Sequence, residues 1–191
     1  LGETYNPSSM QTDDFNEEAF FQMLRDNNFL ITLYFAYTFK MQLCYLFENY
    51  EMAIELGNKT DELTFCVLGQ PMRLENDYYY GLSLAANYAW KDRPTQKIYL
   101  AKIKKILKRL HVWAKAVPAN YWHKYLMVKA ELARIEGDKE TAVECYDEAI
   151  ESARENSYIQ NEGVANELFA KFYLSQNRAH LAKQYLIDAH Y

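Results

Sequence analysis

The sequence predicts an all-α fold of about nine helices. Gly and Pro number 6 and 4 among 191 residues, so the residues that most often form tight turns are scarce. Half of the residues are hydrophobic and 16% are aromatic, which supplies apolar surface for a packed core. Apolar residues also recur at helical spacing between turns of two or three polar residues. These observations disfavour a disordered chain, a collagen-like repeat and a turn-rich β-sandwich.

The N-terminal residues differ in composition from the rest of the chain. Residues 1–13 are mostly polar and contain Gly and Pro, which predicts a linker or a frayed terminus. We expect the helical domain to occupy residues 14–191. Either Asp13 or Asp14 is predicted to cap a short first helix that extends through Leu24. The start at Leu1, without an initiator Met or a signal peptide, suggests a fragment of a longer protein.

The next predicted helix, over residues 29–47, is nearly all apolar. Its length approaches that of a membrane span, but Lys40 and Gln42 lie inside it and no cationic anchor flanks Phe29. We therefore favour a helix that is buried between neighbouring helices on most sides over a helix that spans a membrane.

Three later segments share one pattern, in which a short polar turn precedes a helix with small residues on its packing face. Small residues let two helix backbones approach closely, and a larger residue between them fills the adjacent groove. The packing residues are Ala53, Ile54 and Leu56 in the first segment, Ala142, Tyr146 and Ala149 in the second, and Ala182, Leu186 and Ala189 in the third. The last two segments are offset by about 40 residues and the first two by about twice that, which predicts a further unit between them.

The intervening unit is predicted to consist of two helices. Residues 72–91 include Gly and several Ala residues that permit close packing, and residues 94–116 form the longest helical pattern. Pro94 suits the first turn of the second helix, and Pro118 ends that helix.

The pattern G-D-x-x-x-A-x-x-x-Y-x-x-A, which begins at Gly137, resembles the turn and second helix of a tetratricopeptide repeat (TPR). Residues 29–191 as a whole are similar to a degenerate helical-repeat segment of very large bacterial signalling proteins, especially cyanobacterial ones. In those proteins a serine/threonine-kinase-like domain, a signal-transducing ATPase, the repeats, a GAF sensor and a histidine kinase are joined. The stretches that carry the likeness are residues 45–53, 65–85, 123–131 and 161–168.

The resemblance implies a right-handed superhelical stack of antiparallel helix pairs, a TPR-like α-solenoid, in which the first helix of each pair lines a concave surface. In the last two units the inward-facing candidates carry mixed charge, which suits a peptide or a neighbouring domain better than a polyanion. These candidate protein-binding residues are Lys124, Met127, Glu131, Arg134, Glu167 and Lys171.

Catalytic and cofactor motifs are absent from the sequence. It contains no phosphate-binding loop, dinucleotide fingerprint, H-E-x-x-H pair or G-x-S-x-G elbow, so we expect no cofactor, no metal site and no enzymatic activity in this chain. The three cysteines, Cys44, Cys66 and Cys145, are widely spaced and odd in number, which suits a reducing cytoplasm. The net charge of −5 gives no reason to expect nucleic acid as a partner.

Two surface features leave alternatives open. A basic stretch could bind an anionic membrane surface, a nucleic acid or an acidic partner, although a solvated helix face is favoured, and the acidic helix over residues 138–155 is a candidate counterpart. The aromatic clusters at residues 78–80 and 121–122 could bind a ligand, but packing between helices is the favoured interpretation. The basic residues are Lys97, Lys102, Lys104, Lys105, Lys108, Arg109 and Lys115.

The resemblance therefore implies a non-catalytic protein-interaction and relay segment of a multi-domain signal-transduction kinase, which links the ATPase to the sensor and histidine kinase domains. Its partners would be a protein or peptide, chiefly neighbouring domains of the same chain. The alternative is a free-standing TPR-like adaptor or the effector-sensing domain of a transcription regulator. An all-α enzyme is the least favoured class.

Overall fold

Nine α-helices make up most of residues 6–189, the part of the chain that is described. The computed structural model describes residues 6–189, and within this range it contains no β-strand. The helices are α1 (Glu17–Asp26), α2 (Leu30–Leu46), α3 (Tyr50–Glu62), α4 (Met72–Asn87), α5 (Arg93–Ala116), α6 (Pro118–Glu136), α7 (Lys139–Glu155), α8 (Ile159–Ser175) and α9 (Ala179–Ala189). The prediction of an all-α fold of about nine helices is confirmed. The chain divides into two units, Leu1–Asp92 and Arg93–Tyr191.

The first helix begins later than the sequence predicted. The Asn16 side chain accepts a hydrogen bond from the Ala19 N–H at 2.8 Å and caps α1, so the prediction of Asp13 or Asp14 as the cap is wrong. The physical reason lies in the preceding backbone, where Thr12 N–H donates to the Phe15 carbonyl and holds the two aspartates in a bend. Residues 1–5 of the predicted linker lie outside the described residues, and its boundary stays a prediction.

Helix α2 forms the centre of the unit Leu1–Asp92 and packs against α1, α3 and α4. It buries Tyr34 and Met41, and the Lys40 ammonium reaches the carboxylate of Glu17 on α1 at 2.8 Å. Phe39, however, is 50% exposed. Helix α2 is thus buried on fewer sides than its apolar sequence predicted. Across residues 6–189, no helix combines the length and the hydrophobicity needed to cross a bilayer.

A close contact joins α3 to α4. Gly57 packs on the buried ring of Tyr80, and a Cβ atom at residue 57 would lie 2.3 Å from the Tyr80 Cδ2 atom. The Tyr80 hydroxyl donates to Asn58 Oδ1 at 2.7 Å. Tyr78 and Tyr79 are buried as well. The favoured interpretation of this tyrosine cluster as packing between helices is therefore confirmed.

In the unit Arg93–Tyr191, each helix packs against the next along the chain. Helix α6 is capped at its C-terminus by Gly137, whose φ of 82° lies in the left-handed region that favours Gly. The predicted packing residues of α7 are all buried: Ala142, Tyr146 and Ala149. In α9 Ala182 is buried, but Leu186 is 41% exposed, so its predicted groove-filling role is wrong. The neighbouring Tyr185 fills that position, since its ring lies 4.4 Å from the ring of Phe169.

Candidate functional site

Three of the six residues predicted to face a partner lie inside the packed helices. Met127 is fully buried, and Lys124 and Glu131 are nearly so. All three belong to α6, which packs against both α5 and α7. Because α5 and α7 cover α6 on both sides, the charged residues of α6 at these positions do not form an exposed face. In this structure the three side chains contribute to packing and leave little surface for a partner.

Glu131 is the acceptor of a buried polar cluster. Arg134 donates to it through Nε at 3.1 Å and through Nη2 at 2.6 Å, and the Tyr146 hydroxyl of α7 donates to Glu131 Oε1. Burial, and then the charge of Glu131, hold the pKa of Tyr146 well above its usual range. The cluster therefore fixes α6 against α7 with every charged group satisfied.

Lys124 lies beside a second buried group. Its Nζ atom is 5.7 Å from the centre of the Tyr158 ring and 5.9 Å from that of Tyr121. The adjacent His123 is fully buried, and its ring lies 4.5 Å from that of Tyr158. Within residues 6–189 neither of its ring nitrogens has a hydrogen-bond partner. Burial, and then the charge of Lys124, lower the pKa of His123 to about 3, so this imidazole is neutral at physiological pH.

The other three predicted residues are accessible. Arg134 is partly exposed beside Glu131, and on α8 the Lys171 ammonium lies 2.6 Å from the Glu167 carboxylate. The exposed ion pair between Glu167 and Lys171 adds little stability, so breaking it to bind a partner would cost little free energy. Their role in binding stays a prediction.

A groove of about 520 Å³ opens between the start of α6 and the end of α7, and we call it the acidic groove. The Trp122 Nε1–H donates to Glu148 Oε1 at 2.8 Å and connects α6 to α7 beside the groove. Ser152 is only 9% exposed, yet it lines the groove. The lining residues are Pro118, Ala119, Trp122, Glu148, Glu151, Ser152, Glu155 and Asn156.

The sequence indicates Trp122 as a candidate binding aromatic, and Trp122 lines the acidic groove. Its role in binding stays a prediction. Its neighbour Tyr121 is buried and packs edge-on against Trp113, as the packing interpretation predicted. Ser152 and Glu155 carried no signal of their own, because their place in the groove depends on the pairing of α6 with α7.

A second groove, of about 600 Å³, lies between α7, α8 and α9. It is lined by residues of both charges, including Asp147, Arg154 and Asp188, together with His180. The Tyr185 hydroxyl lies 3.4 Å from the Asp147 carboxylate, and burial raises the pKa of Asp147. Because residues of both charges line this groove, it favours neither a cationic nor an anionic ligand.

The basic stretch of α5 lies on an exposed face, as expected. Its ion pair to α6 joins Lys104 Nζ to Glu136 Oε1 at 2.7 Å. Glu136 ends α6 and directly precedes the acidic segment proposed as the counterpart of this stretch. The wider pairing with residues 138–155 stays a prediction.

The two grooves present polar and aromatic side chains at their surfaces. Across the described part of the chain, no three His, Cys, Asp or Glu side chains are placed to hold a metal ion. Carboxylates, an indole and a hydroxyl can accept hydrogen bonds and stack against a ligand, which are the contacts of a recognition surface.

Comparison with known proteins agrees with this architecture. No curated protein and no solved structure matches the chain. Residues 9–186 match the family model described as CHK1-like, TPR repeats. The match includes α1 to α8 and most of α9. It confirms the resemblance to tetratricopeptide repeats, and the chain belongs to this family of CHK1-like TPR repeats.

Proposed function

We propose that the chain is a non-catalytic protein-interaction and relay segment of a multi-domain signal-transduction kinase, in which it links the ATPase domain to the sensor and histidine kinase domains. The observation that carries this proposal is the family match over residues 9–186, since TPR repeats have a protein-interaction role. The partners are neighbouring domains of the same polypeptide. We place the role in the cytoplasm, where the free thiols of the three cysteines would stay reduced.

The packing pattern of the unit Arg93–Tyr191 suits a relay. Each helix contacts chiefly the helix before it and the helix after it. A displacement of one helix is therefore passed to the next without loss of the core, because stability in such arrays is mostly a sum of neighbour contacts. The exposed charges of Glu167 and Lys171 and the acidic groove supply surfaces on which adjoining domains can act.

Two measurements test the proposal. The first is calorimetric titration of the chain with separately purified ATPase and histidine kinase domains of its parent protein. Saturable binding of at least one domain is expected, and absence of binding to every domain would contradict the interaction role.

The second measurement tests the relay itself. Spin labels at Gln70→Cys and Lys183→Cys, both exposed, would be placed in the intact parent protein with Cys66→Ser. Cys44 and Cys145 are buried and should escape labelling. We expect the distribution of label distances to shift when nucleotide binds the ATPase domain. An unchanged distribution, while kinase output changes, would remove the relay mechanism and leave only a passive connection.

A further inference from the structure

We propose that α2 is a dimerisation helix, on which the α2 helix of a second copy of this chain packs in the antiparallel direction, centred on Phe39. The surface concerned consists of five uncharged residues, and we call it the α2 face. Its residues are Thr32, Phe35, Phe39, Leu43 and Leu46. The proposal is independent of the proposed function, because it concerns contact between copies of the chain and not contact with other domains.

The α2 face is one continuous strip along the outside of the helix. At about 100° per residue, all five side chains leave the helix within about 40° of the direction of Phe39. Three of the five residues are exposed and the other two are partly exposed. The opposite side of α2 carries Tyr34 and Met41, which are fully buried, and the helix packs against α1, α3 and α4. The α2 face is therefore the side of this helix that the described helices leave uncovered.

The α2 face carries no charge that would select a charged partner. Lys40 is the one charged residue in the sequence of α2, and it is buried with its ammonium 2.8 Å from the carboxylate of Glu17. Helices that lie on a membrane surface combine an apolar face with exposed Lys or Arg, a combination that α2 does not present. The partner that complements the α2 face is therefore an apolar, uncharged protein surface.

The exposed apolar area approaches what a reversible dimer needs. Ile31, Phe39 and Phe47 are 52%, 50% and 53% exposed, and Leu46 is 36% exposed. A large apolar side chain has a surface of roughly 200 Å², so these four residues together expose on the order of 400 Å². Transient complexes bury about 600 Å² per partner or less. Phe35 and the polar residues around the face supply the remainder, which predicts a weak, reversible dimer.

The side chains of the α2 face are arranged symmetrically about Phe39, which indicates a second copy as the partner. Phe35 and Leu43 lie four residues before and after Phe39, and Thr32 and Leu46 lie seven residues before and after it. In an antiparallel pair of α2 helices, Phe39 lies opposite Phe39 of the second copy. Phe35 then lies level with Leu43 of the second copy, so a larger side chain packs beside a smaller one. A two-fold interface requires a self-complementary surface of this kind.

Sedimentation velocity of the 191-residue chain tests the association. We expect the mass to rise from that of one chain at about 1 µM to nearly that of two chains at about 200 µM, with a dimer Kd of about 10–50 µM. The Kd should not increase as NaCl rises from about 50 mM to about 300 mM, because no ion pair contributes to the contact.

Variants assign the association to the α2 face. Phe39→Glu should raise the dimer Kd at least tenfold, because two carboxylates would lie opposite each other in an apolar contact. Phe65→Glu is the matched control, since it makes the same change at a 63% exposed Phe between α3 and α4, and it should leave the Kd unchanged. A mixture of Phe39→Glu and Phe39→Lys chains should form mixed dimers, which chains that had merely lost their fold would not do. Circular dichroism checks the helix content of each variant.

Cysteine cross-linking tests the direction of packing. Phe39→Cys with Cys66→Ser should give a disulfide-linked dimer under mild oxidation with copper phenanthroline, while Cys44 and Cys145 are buried. Thr32→Cys in the same background is the control, because two residues at this position lie about 21 Å apart along an antiparallel pair and should not cross-link. Efficient cross-linking through Thr32→Cys would show that the helices pack in parallel and would contradict the proposal.

Three further outcomes would overturn the proposal. A mass that stays at one chain up to about 200 µM would exclude the dimer, and an equal increase in Kd from Phe39→Glu and Phe65→Glu would indicate unspecific apolar contact. A mass that rises well past two chains would indicate an open-ended contact in place of a two-fold one. Binding to neutral phosphatidylcholine vesicles without dimerisation, lost in Phe39→Glu, would make the α2 face a lipid-binding surface. Failure of the parent domains to bind would remove the proposed function and leave the dimer unaffected.

Discussion

Acidification is expected to destabilise the unit Arg93–Tyr191 through His123. The imidazole is fully buried against Tyr158, and its pKa is lowered to about 3 by burial and by Lys124. In the unfolded chain the same imidazole is solvated and binds a proton near its ordinary pKa of 6.5. The unfolded state therefore takes up a proton at a higher pH than the folded state does. Stability from this residue is complete above pH 6.5 and is lost as the pH falls towards 3.

The pKa difference sets the size of the effect. Each pKa unit corresponds to about 1.4 kcal/mol, so between pH 6.5 and pH 4.5 His123 alone lowers the free energy of unfolding by about 2.5 kcal/mol. The complete loss, near pH 3, is about 4–5 kcal/mol. Small domains are stable by roughly 5–15 kcal/mol, so this one residue is a large fraction of the whole.

Urea unfolding at a series of pH values, followed by tryptophan fluorescence, measures the effect. Trp113 and Trp122 both lie in the same unit as His123. His123→Leu removes the titrating group, and we expect its stability to fall by about 2.5 kcal/mol less than that of the native chain between pH 6.5 and pH 4.5. His180→Gln, at an exposed histidine, is the control and should behave as the native chain. The same pH dependence in native chain and His123→Leu would refute the reasoning.

Three further substitutions test the packing. Gly57→Ala should destabilise the chain in thermal unfolding, because overpacking against Tyr80 costs about 1–3 kcal/mol, whereas the gain in helix propensity is at most about 1 kcal/mol. Unchanged stability would contradict the close contact between Gly57 and Tyr80. Tyr146→Phe removes a donor from the buried carboxylate of Glu131 and should lower the free energy of urea unfolding by about 1.5–3 kcal/mol, an effect that a solvated hydroxyl would not give. Asp138→Ala removes the cap of α7 and should lower the melting temperature, whereas Asp138→Asn, which keeps an acceptor, should retain most of it; equal losses would exclude capping.

The helices were predictable because they depend on local sequence. The scarcity of Gly and Pro, the turn at Gly137 and the small residues of α7 all act within one or two helical turns, and each predicted what the structure shows. The errors concern contacts between distant residues. The residue that caps α1 is Asn16 and not the predicted Asp13 or Asp14, because the preceding chain bends back on α1.

The surfaces were less predictable for the same reason. Hydrophobicity predicted that α2 is buried on most sides, yet Phe39 is half exposed because packing covers fewer faces of that helix than its sequence would allow. Lys124 and Glu131 have the charge of surface residues, but they are buried beside Tyr158, which precedes α8, and Tyr146 of α7. The acidic groove depends on which turn of α7 lies next to Trp122, and the sequence of a single helix does not determine that pairing.

Hydrogen-exchange mass spectrometry tests the central claim, that this TPR segment acts by contact with neighbouring domains. Exchange would be compared between the isolated 191-residue chain and the same residues in the intact parent protein. The first turn of α6 borders the acidic groove and carries backbone N–H groups that lack helical partners, so its exchange reports contact sensitively; the last turn of α7 borders the groove as well. We predict slower exchange there and around Glu167 and Lys171 in the parent protein. Identical exchange in the two forms at all of these positions would contradict the claim.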